Sequence, residues 1–297
     1  MEDYRKYLKP DVVSRLSNME LKARLVVEGF ITGLHKSPYH GFSVEFAEHR
    51  HYMPGDEIKR VDWKVYGKTD RFFVKEFEEE TNLKSYILLD ASGSMGYTSG
   101  KLSKLEYGCY LSAALTYLML IQRDAVGLVL FDSKIRKYLP PRSIMSYLYP
   151  ILKELQSAES GETTNISIIL HNIAERIKRR GLIILISDLL DEPEKVIKGL
   201  KHFRHKQHEV LLFHVLDPSE VEFAFSKDAV FKDMESSEEI STQTWHIKNE
   251  YKKQIEEFIS YYKRECRENR IDYVFLDTGK DFDQALFKYL IKRKKLR

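Results

Sequence analysis

Cysteine is scarce: among 297 residues only Cys109 and Cys266 occur, far apart in the chain. That spacing excludes a disulfide framework and a cysteine-based metal site. Long apolar runs are missing as well. The longest, Cys109 to Ile121, is interrupted by Ser112 and Thr116 and falls short of the roughly 18 residues that cross a bilayer. The opening Met-Glu-Asp-Tyr-Arg lacks the basic-then-apolar order of an export signal. Charge of one sign does not dominate, since 48 Lys+Arg against 45 Asp+Glu leave a formal net charge of +3. Such a balance does not suit a chain built to neutralise a phosphate backbone. These absences predict no transmembrane segment, no specific nucleic-acid partner and a reducing, cytoplasmic setting. What is present, 43% hydrophobic and 31% charged residues, is enough for one large domain or two unequal ones.

No linker, repeat or low-complexity tract divides the chain, so a boundary has to come from a change of pattern. Up to about Glu80 the sequence is aromatic and charged with irregular spacing. From Ser85 onward, short β-rich runs alternate with longer amphipathic ones. The runs Tyr86–Leu89, Ala125–Phe131, Leu182–Ile186, Val210–Leu216 and Tyr273–Leu276 are nearly continuous in apolar residues, as strands covered on both faces must be. Between them the spacing predicts helices over Leu102–Gln122, Ile144–Leu155, Ile166–Arg179, Pro193–His205, Asn249–Asn269 and Phe282–Lys292. Alternation of this kind predicts an α/β fold, a doubly wound and mostly parallel sheet with right-handed crossovers. Lys134–Leu139 follows its predecessor too closely for a crossover and reads as an antiparallel edge strand. Val221–His246 breaks the pattern and reads as an inserted hairpin. Residues 1–84 form a separate unit in this reading, a helix over Met19–Phe30 followed by a small β-rich subdomain. It would contain a strand at Ser43–Ala47 and a turn at Pro54-Gly55-Asp56. Residues 85–297 form the α/β domain.

The first central strand runs into Asp90-Ala91-Ser92-Gly93-Ser94-Met95-Gly96. Ligands of open α/β sheets bind beyond the carboxyl ends of the strands, so an acid and two hydroxyls emerging there are placed for ligand chemistry. Oxygen-only donors select a hard cation such as Mg²⁺, with Mn²⁺ equally acceptable. Two further donors end elements of the same sheet: Thr164, before a helix, and Asp188, after the strand Leu182–Ile186. Helix capping is the plainer alternative for each of these groups, because Asp, Ser and Thr side chains also accept helix N–H bonds.

Asp90-x-Ser92-x-Ser94 with Thr164 and Asp188 resembles the metal-ion-dependent adhesion site of von Willebrand factor type A domains, which are Rossmann-like. The strand and helix order from about 85 to 297 is similar throughout. The upstream tracts Glu45-Phe46-Ala47-Glu48-His49-Arg50, Tyr52-x-Pro54-Gly55-Asp56-Glu57, Asp62-Trp63-Lys64 and Glu76-Phe77-Glu78-Glu79-Glu80 resemble a narrower group, the domain of unknown function 58 family. The loop after Asp188 reads Asp-Leu-Leu-Asp rather than Asp-Gly. The resemblance implies a non-catalytic, bacterial protein-interaction module in which Asp90, Ser92, Ser94, Thr164 and Asp188 hold Mg²⁺ and a Glu or Asp of the partner completes its coordination. It also implies a MoxR-type AAA+ ATPase, or that machine's client, as the partner in chaperone-like assembly.

Enzyme templates fit less well. Ser94 would be the nucleophile of an incomplete elbow in a hydrolase using this crevice, which needs a histidine, and His214 lies within a predicted strand. A metal-activated water at the same place is the other hydrolytic route. The acid expected two residues after a phosphoryl-accepting Asp90 is Ser92, and no G-x-x-x-x-G-K-[ST] loop occurs. His40, His49 and His51 with Glu45 and Glu48 invite a zinc reading, but Glu45 and His49 share a face only in a helix, whereas the local alternation suggests a strand. The charged tract reads instead as interdomain salt bridges or a docking surface. The basic end, Lys288 to Arg297, reads as the solvated tail of a helix, with contact to an anionic membrane or RNA as the alternative.

Overall fold

A computed structural model of the chain describes residues 23, 24, 26, 27, 50–52, 63–74, 84–161, 166–223, 228–232 and 239–296. The expected strand at Ser43–Ala47 and turn at Pro54–Asp56 lie outside them. Before the main sheet, β1 (Arg50–His51) pairs antiparallel with β2 (Phe73–Val74), and α1 (Trp63–Thr69) connects the two. The rings of Tyr66 and Phe72 stack at 4.4 Å, with Trp63 edge-on to both.

A six-stranded sheet follows, built from β3 (Lys84–Asp90), β4 (Ala125–Phe131), β5 (Ile135–Arg142), β6 (Leu182–Ser187), β7 (Glu209–Leu216) and β10 (Asp272–Asp277). Its spatial order is β10-β7-β6-β3-β4-β5, and every pairing is parallel except that of β4 with β5. The helices are α2 (Lys104–Ile121), α3 (Leu148–Gln156), α4 (Ile166–Arg176), α5 (Pro193–His205), α6 (Pro218–Glu222), α7 (Thr244–Glu268) and α8 (Asp283–Leu296). The hairpin β8 (Asp228–Lys232) with β9 (Glu239–Gln243) falls inside the expected insertion.

Alternate strand residues face opposite sides, which is what makes the strands apolar without interruption. Ile87, Leu89, Ile184, Ile186, Phe213 and Val215 join one core with α2, α3 and α8. Tyr86, Leu88, Ile183, Leu185, Val210 and Leu212 join the other with α4, α5 and α7. Each fully buried Leu or Ile contributes about 1.5–3 kcal/mol relative to exposure, so these two layers dominate the stabilisation. Ala23, Val26 and Val27 are helical and buried in the first core, so the α/β layer is completed by residues from ahead of it in sequence. Helix α2 is buried on nearly all sides, and its N-terminus is set by a capping box between Ser103 and Glu106.

Some boundaries differ from the periodicity reading. Ile144–Leu155 opens with a 3-10 turn at Met145–Tyr147, and the helix proper begins at Leu148. Helix α7 starts at Thr244, five residues ahead of the predicted Asn249, because β9 runs directly into it. The front of the insertion is not hairpin but α6, initiated by a capping box of Asp217 with Glu220 and by Pro218 in its first turn.

The order of strands places a topological switch between β3 and β6: the chain leaves β3 toward β4 on one side and returns at β6 on the other. In open α/β sheets ligands bind at such a switch point, beyond the carboxyl ends of the strands.

Candidate metal centre

Asp90 is the last residue of β3 and is fully buried. Its Oδ1 accepts the Ser92 backbone N–H at 2.9 Å, which turns the chain sharply after the strand. The Ser92 and Ser94 hydroxyls then lie 3.1 Å apart, Ser92 buried and Ser94 at the start of a short 3-10 turn (Ser94–Gly96). From the adjacent strand, Ser187 donates its hydroxyl to Asp90 Oδ2 at 2.6 Å and accepts the Leu189 N–H at 2.9 Å. Asp188, next in the chain and also fully buried, is near enough for its charge to act on Asp90. Burial first, and then the charge of Asp188, push Asp90 up to about 7, although the Ser187 and Ser92 hydrogen bonds pull it down.

Asp90, Ser92, Ser94 and Asp188 therefore share one end of the sheet. Thr164 lies outside the described residues. On either side of its segment, the Gly161 N–H donates to Ala91 O at 2.7 Å and the Ile166 N–H donates to Asp191 Oδ2 at 2.9 Å. Arg136 pairs with Asp132 and also donates to Glu159 O at 2.5 Å, pinning the chain ahead of that segment to the top of β4. Asp188 does not cap α5, whose N-cap is Glu192 without a side-chain bond.

Asp188 instead meets a cation. Lys104 Nζ donates to Asp188 Oδ2 and to Glu220 Oε1, each at 2.7 Å, with no exposure of the lysine side chain. Burial opposes the ammonium, but Asp188 and then Glu220 outweigh it and raise the Lys104 pKa. Burial leaves Glu220 raised even against Lys104. Glu220 is brought there by a second set of bonds: Asp217 caps α6 and accepts the Ser99 N–H at 3.0 Å, while the Tyr97 and Ser219 hydroxyls lie 2.8 Å apart. His214 of β7 has its Nε2 3.0 Å from the Asp188 carbonyl and its Nδ1 2.8 Å from the Tyr273 hydroxyl. Burial pushes this imidazole down to about 4.

Sequence spacing alone does not single out Lys104, Glu220 or Ser187. A signal existed for Lys104, which is the first helical residue of α2, an end where the helix dipole disfavours a cation.

The donors suit a hard divalent cation. They are hydroxyl and carboxylate oxygens, and Asp90 is a fully buried carboxylate held by a backbone N–H and a hydroxyl rather than by a cationic side chain. Groups of three or more His, Cys, Asp or Glu with metal-binding geometry do not occur among the described residues. The zinc reading of His40, His49 and His51 falls on residues or side chains outside the described part.

The family model for "Protein of unknown function DUF58" matches residues 48–258. The chain belongs to this family. Uncharacterized proteins of Mycobacterium tuberculosis and Mycobacterium bovis are 26% identical to it over 230 residues, covering 76% of this chain and 72% of theirs. Solved structures similar to it include the conserved hypothetical protein BatB from Bacteroides thetaiotaomicron. That match has 18% identity and a TM-score of 0.48, covering 72% of this chain and 98% of that one. Another is an aerotolerance-related membrane protein from Bacteroides fragilis, with 19% identity and a TM-score of 0.48, covering 71% and 99%. The SpRpn10 VWA domain matches with 9% identity and a TM-score of 0.39, covering 70% and 94%. Among the described residues of this DUF58 chain, no helix is long and apolar enough to cross a membrane.

Proposed function

We propose that this DUF58 protein is a non-catalytic, divalent-cation-dependent interaction module whose partner contributes an acidic side chain. Asp90, Ser92, Ser94 and Asp188, together with Thr164 as the sequence resemblance implies, are the residues that would hold Mg²⁺ or Mn²⁺. The single observation carrying this reading is the fully buried Asp90 carboxylate at the β3–β6 switch point, facing the Asp188 charge with serine hydroxyls alongside. A bound cation would supply a Lewis-acidic position that accepts a carboxylate oxygen. The chain's own residues fix the geometry: Ser187 donates to Asp90, the Ser92 N–H closes a turn on Asp90, and the two serine hydroxyls lie 3.1 Å apart.

The hydrolase alternative finds less support. Ser94 Oγ is hydrogen-bonded to Ser92 Oγ, and His214 has both ring nitrogens engaged by Asp188 O and the Tyr273 hydroxyl. A base for Ser94 is not found among the described residues. The partner in this reading is a MoxR-type AAA+ ATPase or its client, met in the cytoplasm.

The test is capture of the purified MoxR-type ATPase of the same organism, with Mg²⁺ and with chelator, by wild type and Asp90→Ala. Capture should require Mg²⁺ and be lost in Asp90→Ala. Equal capture in chelator overturns the proposal, and turnover of a generic ester that disappears on Ser94→Ala would establish the hydrolase instead.

A further inference from the structure

We infer that Lys104 is a resident counter-cation that competes with the divalent ion for Asp188 and thereby lowers the affinity of the metal centre. The inference rests on the metal-centre reading above and deepens it. Lysine is an expensive choice at this place: its side chain is fully buried, and it stands at the electropositive N-terminus of α2. Two carboxylates offset that cost, and one of them is the proposed ligand Asp188. Asp188 Oδ2 is taken by Nζ at 2.7 Å, while Oδ1 accepts the Leu190 N–H at 3.3 Å. Whatever Asp188 offers a divalent ion is therefore shared with Lys104, whereas Asp90 has no ammonium at either oxygen's hydrogen bond.

Glu220 sets the terms of the competition. It draws Nζ away from Asp188 with an equally short bond, and it is itself held over the lysine by the Asp217 N–H at 2.8 Å. The triad of Lys104, Asp188 and Glu220 thus makes two predictions of opposite sign. Removing the lysine charge frees Asp188 for the metal. Removing the Glu220 charge leaves Lys104 wholly to Asp188 and weakens the metal. A purely structural salt bridge would move both variants in one direction, since either change leaves a buried charge uncompensated.

The experiment is calorimetric titration of Mn²⁺ into the full chain for wild type, Lys104→Met, Lys104→Arg and Glu220→Gln, with urea unfolding of each metal-free protein alongside. Lys104→Met should bind Mn²⁺ roughly tenfold or more tightly, the scale of one nearby charge in a partly screened site, although its metal-free form unfolds at lower urea. Glu220→Gln should bind several-fold more weakly, and Lys104→Arg should stay near wild type. If Lys104→Met alone does not fold, the double variant Lys104→Met with Glu220→Gln, which removes one charge of each sign, should show the same tightening. Weaker or unchanged Mn²⁺ binding on loss of the lysine, or a shift of Glu220→Gln in the same direction as Lys104→Met, overturns the inference while leaving the metal centre intact. Failure of the wild-type chain to take up Mn²⁺ overturns the inference and the metal-centre reading together.

Discussion

Ser187 donates its hydroxyl to Asp90 Oδ2 at 2.6 Å, joining the carboxyl ends of β3 and β6 across 97 residues of sequence. The same hydroxyl accepts the Leu189 N–H, so one small side chain both satisfies a buried carboxylate and shapes the loop that carries Asp188. Ser187→Ala leaves both of these buried groups without this partner. Hydrogen bonds to charged groups contribute about 1.5–3 kcal/mol, and the variant should lose stability on that scale. Urea unfolding checks it; a loss within error would mean that water replaces the hydroxyl.

Gly127 on β4 has β5 pressed against it. A Cβ there would stand 2.6 Å from Leu139 O and 2.9 Å from Pro141 N, both backbone atoms, at the place where the β4–β5 register shifts. Backbone cannot swing aside as a flexible side chain does, so Gly127→Ala should destabilise by about 1–3 kcal/mol or more. Hydrogen exchange should show the edge strand β5 opening first. Unchanged protection of β5 amides would contradict this account.

What the sequence disclosed and what it hid divide along physical lines. β4 occupies the predicted Ala125–Phe131 and α5 the predicted Pro193–His205, because continuous apolar runs and a proline at a helix start are local signals. The antiparallel β5 was legible from its short connection to β4 alone. Asp90, Ser92 and Ser94 are joined within one loop, so their grouping could be read from spacing. Lys104 with Glu220 could not, since the pair is 116 residues apart in sequence and exists only because Asp217 folds α6 back over α2. Ser187 reads in sequence only as the neighbour of Asp188, although its side-chain bond is to Asp90. The α6 turn had a local signal, Asp217-Pro218 with Glu220, which hairpin expectations masked.

A buried histidine away from the centre makes acid sensitivity testable. Burial lowers the His208 pKa below its ordinary 6.5, and the nearby Lys206 charge acts in the same direction. Its Nδ1 accepts the Gly181 N–H at 3.2 Å, which requires that nitrogen to be unprotonated. The unfolded chain takes up its proton near pH 6.5 and the folded chain only at lower pH. Stability is therefore unaffected above that value and falls as pH drops from 6.5 toward the folded pKa. Wild type should lose more stability between pH 7.5 and pH 5.5 than His208→Gln, whose amide oxygen can keep the Gly181 bond. Equal losses in urea titrations would assign the acid sensitivity to other groups.

Asp90 separates the metal-free molecule from the loaded one. Its carboxylate is fully buried and faces Asp188, so without a divalent ion the charge is a burden on the fold. Asn keeps the shape, can still accept the Ser92 N–H, and removes the repulsion. At pH 8 in chelator, Asp90→Asn should therefore unfold at a higher temperature than wild type. In millimolar Mg²⁺ the order should reverse, because ligand binding raises the stability only of the chain that retains its site. Thermal unfolding of both proteins in both buffers checks this crossover. If Asp90→Asn is the less stable protein in chelator as well, the Asp90 carboxylate is a structural acceptor and not a ligand awaiting a cation.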